Sequence, residues 1–500
     1  MNSLIIMGVF FISASIFADS NHRSCIVTSD RINRQEYIYP EQIQSDNFVI
    51  HFTTYDNDFQ IINGSEYSLQ SNYGYAQSII DLAEFSLSKY IEDGWEPPPP
   101  DCDESIQDEN SSYHCSNFGG NSLYDIYISN DGPGLVVPER QYSVEPYTGG
   151  FTSYMKISTL SNNYDSVPSW NYHVVAHEVH HSIQLRYANS ASGAPGNYIY
   201  NSWFFEQTAT YMENVIFPQS NHLQIMLGNC GVVTPLTYPE HGIDYPYDLY
   251  KYRSALWHKF LVESIGDSSI VRLMWEDYGN QYNNSGTQIS IFPIYDSAID
   301  SVSFGEYSLS DAYNDYAIWR YFTGDRSLNN EYFNEGSDYC TSKTFSIDEP
   351  LSILSNNGSS CFINLPSEGM NFSISTDSPN DMQVSHIEIS ENQEVIITQL
   401  ESLDENFNFS TNSSESNILV VNSDYIDTNS NNVAFSVNIS DLIGDANFDG
   451  TVNVLDVVII VNFILDIEFP NQSEFDISDI DGNGELNILD IVQIINMILR

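Results

Sequence analysis

The stretch HVVAHEVHHSIQLRY, residues 173–187, decides how the first part of this chain is interpreted. It holds four of the eleven histidines in a 500-residue sequence, and three of these four lie within five residues. The surrounding pattern predicts a helix over 170–188. On that helix His177 and His181 lie one turn apart on the same face, so both imidazoles can reach a single ion.

Glu178 follows the first of these histidines and completes an HExxH motif. The motif combines two metal ligands with a carboxylate base and leaves a coordination position open for the reacting molecule. Glu178 is therefore predicted to accept a proton from the attacking water and to pass it to the leaving amine. His180 is not expected to be a ligand, and His173 is assigned to packing or to the surface. Because HExxH also arises by chance, the interpretation depends on a third ligand.

The third ligand is predicted downstream, in WFFEQTATYME, residues 203–213. This stretch reads as a second amphipathic helix, and its Glu206 supplies a carboxylate. The intervening SASGAPGNYIYNS provides the loop that reverses the chain between the two helices. Two helices packed in this way would place Glu206 opposite the two histidines.

HEVHH followed by WFFEQTATYME resembles the gluzincin pattern, HExxH followed by W-x-x-E-x-x-A-x-x-x-E. The resemblance is closest to secreted bacterial zinc metallopeptidases with C-terminal β and dockerin-like modules. It implies that His177, His181 and Glu206 bind one Zn²⁺, with Glu178 as the catalytic base. It also implies that Glu213 orients one of the ligands.

The same resemblance implies two further features of a peptidase site. The strand FTSYMKIS, residues 151–158, would be the edge strand that pairs with the substrate backbone. A later tyrosine would stabilise the tetrahedral oxyanion, and LYKYRSALWHKFL offers Tyr250 and Tyr252. We prefer Tyr252, and ordinary aromatic packing is the alternative for either residue.

The C-terminus contains two copies of one unit, GDANFDGTVNVLDVVIIVNFIL and SDIDGNGELNILDIVQIINMIL. Each copy places oxygen-bearing side chains on a loop with a glycine at its sharp turn, as Ca²⁺ requires. The predicted calcium ligands are Asp445, Asn447, Asp449, Thr451, Asn453 and Asp456 in the first loop and Asp479, Asp481, Asn483, Glu485, Asn487 and Asp490 in the second.

Two such loop–helix halves resemble a type I dockerin, which implies two bound Ca²⁺ ions and a cohesin-like or cell-surface partner. Dockerins usually contact cohesin through polar residues at loop positions 10 and 11. Here those positions are the apolar pairs Val454–Leu455 and Ile488–Leu489. The partner is therefore left open between a cohesin, the β domain of this chain and an unrelated surface.

The rest of the chain predicts a multidomain protein. Strands at 48–54, 124–129 and 154–158, with helices at 76–91, 170–188, 203–216, 248–265 and 309–322, indicate an α+β zincin-like peptidase domain. Alternating apolar residues beyond Gly336 indicate an antiparallel β-sandwich. The predicted divisions are 1–18 signal peptide, 19–336 peptidase domain, 337–440 β-sandwich domain and 441–500 small α-helical dockerin-like calcium module. The segment before about Ser45 is either a short pro-region or part of the fold.

Composition narrows the functional classes. The chain has 15 Lys+Arg against 68 Asp+Glu, a formal net charge of -53, which argues against nucleic-acid binding. The apolar run ending near Ala18 predicts a cleaved leader and secretion, and no later stretch is long and apolar enough to span a membrane. Six cysteines in an exported chain suggest disulfides. Short loops favour the pairs Cys102–Cys115 and Cys340–Cys361, which leaves Cys25 to pair with Cys230.

The sequence thus predicts a secreted zinc peptidase that acts on proteins or peptides. The alternative is a non-catalytic, calcium-dependent adhesion or scaffold protein that binds through its C-terminal modules.

Overall fold

The structure is a computed structural model. It describes residues 25–26, 33–111, 113–141, 150–159, 169–188, 198–246, 249–285, 289–328, 331–347, 354, 357–367, 370–402, 406–411, 414, 416–424, 433–439, 443–447 and 452–499. The predicted leader, residues 1–18, lies outside them. The described residues form two compact units. One falls within 1–222, 245–255 and 278–289, and the other within 223–244, 256–277 and 290–500.

The first unit is built on a five-stranded mixed sheet with the order β1-β2-β5-β7-β6. A separate hairpin is formed by β3 and β4. The strands are β1 (Glu41–Gln44), β2 (Phe48–Phe52), β3 (Phe59–Ile62), β4 (Ser65–Ser68), β5 (Tyr124–Ser129), β6 (Gly134–Gln141) and β7 (Phe151–Ser158). β2, β5 and β7 run parallel, and β6 is antiparallel to β7.

The prediction that FTSYMKIS is the edge strand is wrong. This segment is β7, which is hydrogen-bonded to β5 on one side and to β6 on the other. All eight of its residues are buried, as expected of an internal strand. The edge of the sheet on this side is β6.

Two helices, α1 (Tyr73–Glu92) and α2 (Ser169–Tyr187), pack on this sheet, and α3 (Tyr198–Ile216) packs on α2. α2 and α3 carry the predicted metal ligands. The Asn72 side chain caps α1 by accepting from the Tyr75 amide. α2 contacts β6 and β7 and also packs against α1 and α3. The HExxH segment is therefore held between the sheet and a second helix.

The predicted helix 248–265 is two helices, interrupted at Ser254–Ala255. The remaining helices before the β-rich region are α4 (His222–Leu227), α5 (Tyr250–Arg253), α6 (Leu256–Ile265), α7 (Ile270–Ser285), α8 (Phe292–Ser303) and α9 (Leu309–Tyr321). α5 belongs to the first unit and packs against α3. α9 begins with a capping box between Ser308 and Asp311.

In the second unit, two sheets with the orders β13-β10-β15 and β12-β11-β14-β9-β8 enclose an apolar core. Their strands are β8 (Phe345–Ser346), β9 (Ser360–Leu365), β10 (Asn371–Thr376), β11 (Met382–Ile389), β12 (Val395–Leu400), β13 (Asn406–Ser410), β14 (Ser416–Ser423) and β15 (Phe435–Ile439). Phe372 and Leu419, from different sheets, are both fully buried in that core. The protein is thus multidomain, with helices and several β-sheets.

The C-terminal module contains α10 (Val454–Ile464), α11 (Gln472–Ser478) and α12 (Ile488–Ile498). α10 and α12 pack together around a small core that includes Ile460 and Ile494. Each begins at a capping box, formed by Asn453 with Asp456 and by Asn487 with Asp490. The residues predicted to bind calcium therefore also start the two helices.

Disulfides join Cys102 to Cys115 and Cys230 to Cys340. The first bridge confirms its prediction. The other two predicted pairs are wrong, because Cys340 pairs with Cys230 across 110 residues and neither Cys25 nor Cys361 belongs to a bridge. Short sequence spacing misled the prediction, since the fold brings together cysteines that are distant in the chain.

Several of the few cationic side chains are buried. Among the described residues they are Lys156, Lys251, Arg253, Lys259 and Arg320, in a sequence with 15 Lys+Arg. Lys156 pairs with Asp131 at 2.8 Å, and Lys259 pairs with Glu263 at 2.6 Å. Within the described part of the chain, no helix is both long and apolar enough to cross a bilayer.

Candidate metal centre

The structure brings His177, His181 and Glu206 together. Glu206 Oε2 lies 3.1 Å from His177 Nε2 and 3.3 Å from His181 Nε2. Cys25 is the fourth member of this cluster, and one potential ligand atom from each of the four residues lies within 4.8 Å of the others. The separations of 3.1 and 3.3 Å suit atoms that surround a point about 2 Å from each of them. All three predicted ligands are buried.

The Nδ1 atoms of both imidazoles also have hydrogen-bond partners. His177 Nδ1 is 2.6 Å from Glu213 Oε1, and His181 Nδ1 is 2.6 Å from Gln184 Oε1. Carboxylate and amide oxygens accept hydrogen bonds, so each Nδ1–H donates and the Nε2 lone pair can serve as a ligand. Gln184 is itself fixed by donating from Nε2 to the Phe205 carbonyl at 2.9 Å.

Glu206 divides its two oxygens between different partners. Oε2 faces the histidines, whereas Oε1 accepts from the Cys25 amide at 2.9 Å and lies 3.7 Å from Lys251 Nζ. Burial alone would raise the pKa of Glu206. The Lys251 charge and the His181 imidazole outweigh burial and hold this pKa well below its ordinary value. The carboxylate is therefore ionised, as a metal ligand must be.

Glu178 lies beside this cluster on α2. It is 2% exposed, and its Oε2 has no hydrogen-bond partner among the described residues. Burial raises its pKa well above the ordinary value, an effect that the His177 imidazole partly opposes. Gly134 of β6 makes room for it, since a Cβ there would lie 2.7 Å from Glu178 Cγ. The protein therefore leaves Oε2 of this side chain available to contact a water or a substrate group.

Of the two tyrosines considered, Tyr252 lies at the cluster. Its hydroxyl is 3.5 Å from Cys25 Sγ, and its ring centroid is 5.9 Å from that of His177. Tyr250 is buried with its ring against Tyr245, 5.1 Å between centroids. Both tyrosines are on α5, and the packing of that helix on α3 presents Tyr252 to the site.

The two other histidines of the opening stretch lie outside the four-residue cluster. His180 is buried, with its ring centroid 5.2 Å from that of Tyr90 and 4.9 Å from that of Trp95. His173 stacks on His222 at 4.0 Å, and His222 Nδ1 lies 2.5 Å from Glu213 Oε2. Glu213 therefore bridges His177 and His222.

Four residues at the centre were not anticipated from the sequence: Cys25, Gln184, Lys251 and His222. Gln184 had a detectable signal, since it lies one helical turn after His181 on α2. Cys25, Lys251 and His222 come from segments remote from the motif, so only the folded chain shows their proximity. In the absence of a cation, burial and the Glu206 and Glu178 charges raise the pKa of the Cys25 thiol to about 12.

A second candidate metal site, formed by carboxylates, lies in the C-terminal module. Oxygens of Asp479, Asp481 and Asp490 lie within 4.8 Å of one another. Asp479 accepts from the Gly484 amide at 2.6 Å, so the loop turns tightly around this carboxylate. Asn483, Glu485 and Asn487 complete the predicted ligand set in the same loop. Asn487 Oδ1 accepts from the Leu489 amide at 2.9 Å, and this bond starts α12.

The first loop likewise ends at an asparagine and an aspartate that start the following helix. Asp456 Oδ2 accepts a hydrogen bond from the Asn453 amide at 2.7 Å, and its Oδ1 accepts one from the Asn447 amide at 3.2 Å. Asp445, the first predicted ligand of this loop, is buried. Asp449 and Thr451, also predicted as ligands, lie outside the described residues.

Comparison with known proteins bears on one part of the chain. No curated protein matches the sequence. Dockerin domains bind calcium, and both loops carry the oxygen ligands for it. Residues 443–499 match the family model of the dockerin type I domain, so the C-terminal module is of the dockerin type.

Proposed function

We propose that this protein is a secreted zinc-dependent peptidase that its dockerin module attaches to a partner. The observation that carries the proposal is the convergence of His177, His181 and Glu206, with Glu178 adjacent and buried. Two imidazoles and one carboxylate are the ligand set of a catalytic zinc site, which keeps a further position for the reacting molecule.

The residues present fit Zn²⁺ in two respects. The donor set is nitrogen, nitrogen and carboxylate oxygen, and each imidazole has its outer nitrogen hydrogen-bonded to an oxygen. The buried Glu178 Oε2, which has no hydrogen-bond partner among the described residues, would contact a water in the site. When bound, zinc would supply Lewis-acid polarisation of the substrate carbonyl and would lower the pKa of water.

The chain's own groups would perform the remaining chemistry. Glu178 would accept the proton of the attacking water and deliver it to the amine that leaves. The Tyr252 hydroxyl would donate a hydrogen bond to the oxyanion that forms on the substrate carbonyl. β6, as the edge strand, would pair with the backbone of an extended peptide substrate.

The dockerin module supports an attachment role. Dockerin domains bind cohesins and occur in extracellular proteins, so we infer a cohesin-like partner outside the cell. Leu455 and Leu489, at position 11 of the two loops, are more than half exposed, and their neighbours Val454 and Ile488 are exposed as well. We infer that the partner covers apolar surface at these positions.

The test combines metal analysis with a Glu178→Gln variant. We expect one zinc per chain in both proteins, and cleavage of a casein-like substrate that the variant loses. An exposed site, Glu92→Gln, provides the matched control. Because Cys25 lies at the centre, both measurements are repeated in a Cys25→Ser background. A chain that binds no zinc and is inert in both backgrounds would overturn the peptidase proposal and favour a non-catalytic adhesion or scaffold role.

A further inference from the structure

Two residues near the N-terminus, Cys25 and Ile26, lie beside β6. Ile26 forms a parallel bridge with Val136, and the Val136 amide donates to the Cys25 carbonyl at 2.7 Å. Ile26 is 2% exposed, so the pairing is covered rather than superficial. Cys25 and Ile26 therefore form one bridge beyond the edge strand, at the position where a peptide would bind by β-strand addition.

This pairing places Cys25 at the candidate metal centre. Its amide donates to Glu206 Oε1, and its Sγ belongs to the same four-residue cluster as the two histidines. The Tyr252 hydroxyl is 3.5 Å from Sγ. Cys25 thus contacts a predicted zinc ligand through its backbone and the predicted oxyanion-stabilising group through its side chain.

We propose that Cys25 is the fourth ligand of the metal and that its segment occupies the substrate position, which holds the peptidase in a latent form. The latent form presupposes the proposed peptidase function. Coordination of the metal by Cys25 does not depend on catalysis. Thiolate, two imidazoles and one carboxylate are all ligands that zinc accepts, and four of them complete a tetrahedral site.

The latent form would have two causes: all four coordination positions of the metal are filled by the protein, and the edge strand β6 is already paired. A zinc site with four protein ligands has no position left for water, whereas a catalytic site keeps one open. The bridge at Val136 also uses the edge that a substrate backbone would need. Coordination by Cys25 would release the thiol proton to solvent, and withdrawal of Cys25 would return a coordination position to water.

The spectroscopic test uses full-length protein loaded with Co²⁺ in place of zinc. We expect a near-ultraviolet thiolate-to-cobalt charge-transfer band in the wild type, and its loss in Cys25→Ser with cobalt still bound. Cys361→Ala is the matched control and should retain the band. An Ile26→Glu variant keeps the thiol but disrupts the pairing with β6, so its band should weaken. Cobalt bound without the band in the wild type would overturn the inference.

The activity test separates this inference from the proposed function. Cys25→Ser should cleave a casein-like substrate about tenfold faster than the wild type or more, because a filled coordination position becomes available. If the band behaves as expected and neither protein cleaves, the ligand assignment holds and the peptidase proposal fails. If both proteins cleave equally and the wild type lacks the band, the peptidase proposal holds and the latent form is excluded.

Discussion

Glu213 connects two histidines through opposite oxygens of one carboxylate, with Oε1 2.6 Å from His177 Nδ1 and Oε2 2.5 Å from His222 Nδ1. The carboxylate is buried, and the two imidazoles hold the pKa of Glu213 at about 2 even though burial favours the neutral acid. The orientation of His177, and hence of its Nε2 lone pair, is therefore fixed by a group that does not itself reach the cluster.

Glu213→Gln should weaken metal binding by about 10- to 100-fold, since loss of such an orienting contact to a ligand histidine typically has that effect. Competition with a chromophoric chelator measures the affinity, and Glu92→Gln is the control on an exposed position. An affinity equal to that of the wild type would show that Glu213 does not orient His177.

Gly134→Ala should reduce peptidase activity while leaving metal content unchanged. The added methyl group would meet Glu178 Cγ and Oε1 at 2.7 Å and Val174 Cγ1 at 2.8 Å, so the predicted base must move. A shift of this kind lowers kcat more than it changes KM, because the base acts in the transition state. Gly132→Ala is the matched control, because its nearest neighbour is 4.0 Å away. Equal kcat values for the two variants would contradict the assignment of Glu178.

Lys251→Met should destabilise the metal-free protein by roughly 3–5 kcal/mol, because removal of one partner leaves the buried charge of Glu206 uncompensated. Both side chains are almost fully buried. Urea denaturation after chelation measures the change in the free energy of unfolding. Added zinc should restore part of the stability, since the cation would then balance Glu206, and an unchanged urea midpoint without metal would refute this role.

Calcium removal should unfold the dockerin module before the rest of the chain. The same carboxylates that would bind calcium also start α10 and α12, so loss of the ion and loss of the helices are coupled. Limited proteolysis with and without a calcium chelator should show new cleavage confined to residues 443–499. Asp479→Ala should mimic the chelator, whereas Asp476→Ala, at an exposed position, should not. A module that stays protected in the chelator would show that its folding is independent of calcium.

The two disulfides should differ in the stability that they confer. In the chain-entropy description, a bridge that closes 110 residues contributes about 4–5 kcal/mol and one that closes 13 contributes about 3 kcal/mol. Cys230→Ser with Cys340→Ser should therefore lower the urea midpoint further than Cys102→Ser with Cys115→Ser. The reverse order would indicate that native-state contacts near Cys102 outweigh loop closure.

Much of the first unit follows from local pattern. Apolar alternation predicted β2 and β5, and helical spacing predicted α1, α2 and α3. β6 escaped prediction because Pro138 interrupts its pattern, and the structure tolerates this proline at an edge strand where the register shifts between Pro138 and Arg140. α7 was missed because Gly279 reads as a helix breaker. In the fold, its small size permits a close approach to the Tyr187 backbone.

The site was predictable where its residues share a helix or a motif. His177 and His181 are spaced by one turn, and Glu206 lies in the second half of the recognised pattern. Cys25 could not be placed in the same way, because its position depends on a bridge to Val136 about 110 residues later. Lys251 reaches Glu206 only through the packing of α5 on α3. Long-range pairing of this kind leaves no local signal in one sequence.

The burial of five described lysines and arginines has a consequence for how the molecule meets proteolytic enzymes in its surroundings. Trypsin-like enzymes need an accessible basic side chain. This chain has only 15 lysines and arginines, and five of them lie inside the fold: Lys156, Lys251, Arg253, Lys259 and Arg320. The native protein should therefore resist digestion by trypsin far better than digestion by an enzyme that cuts after glutamate.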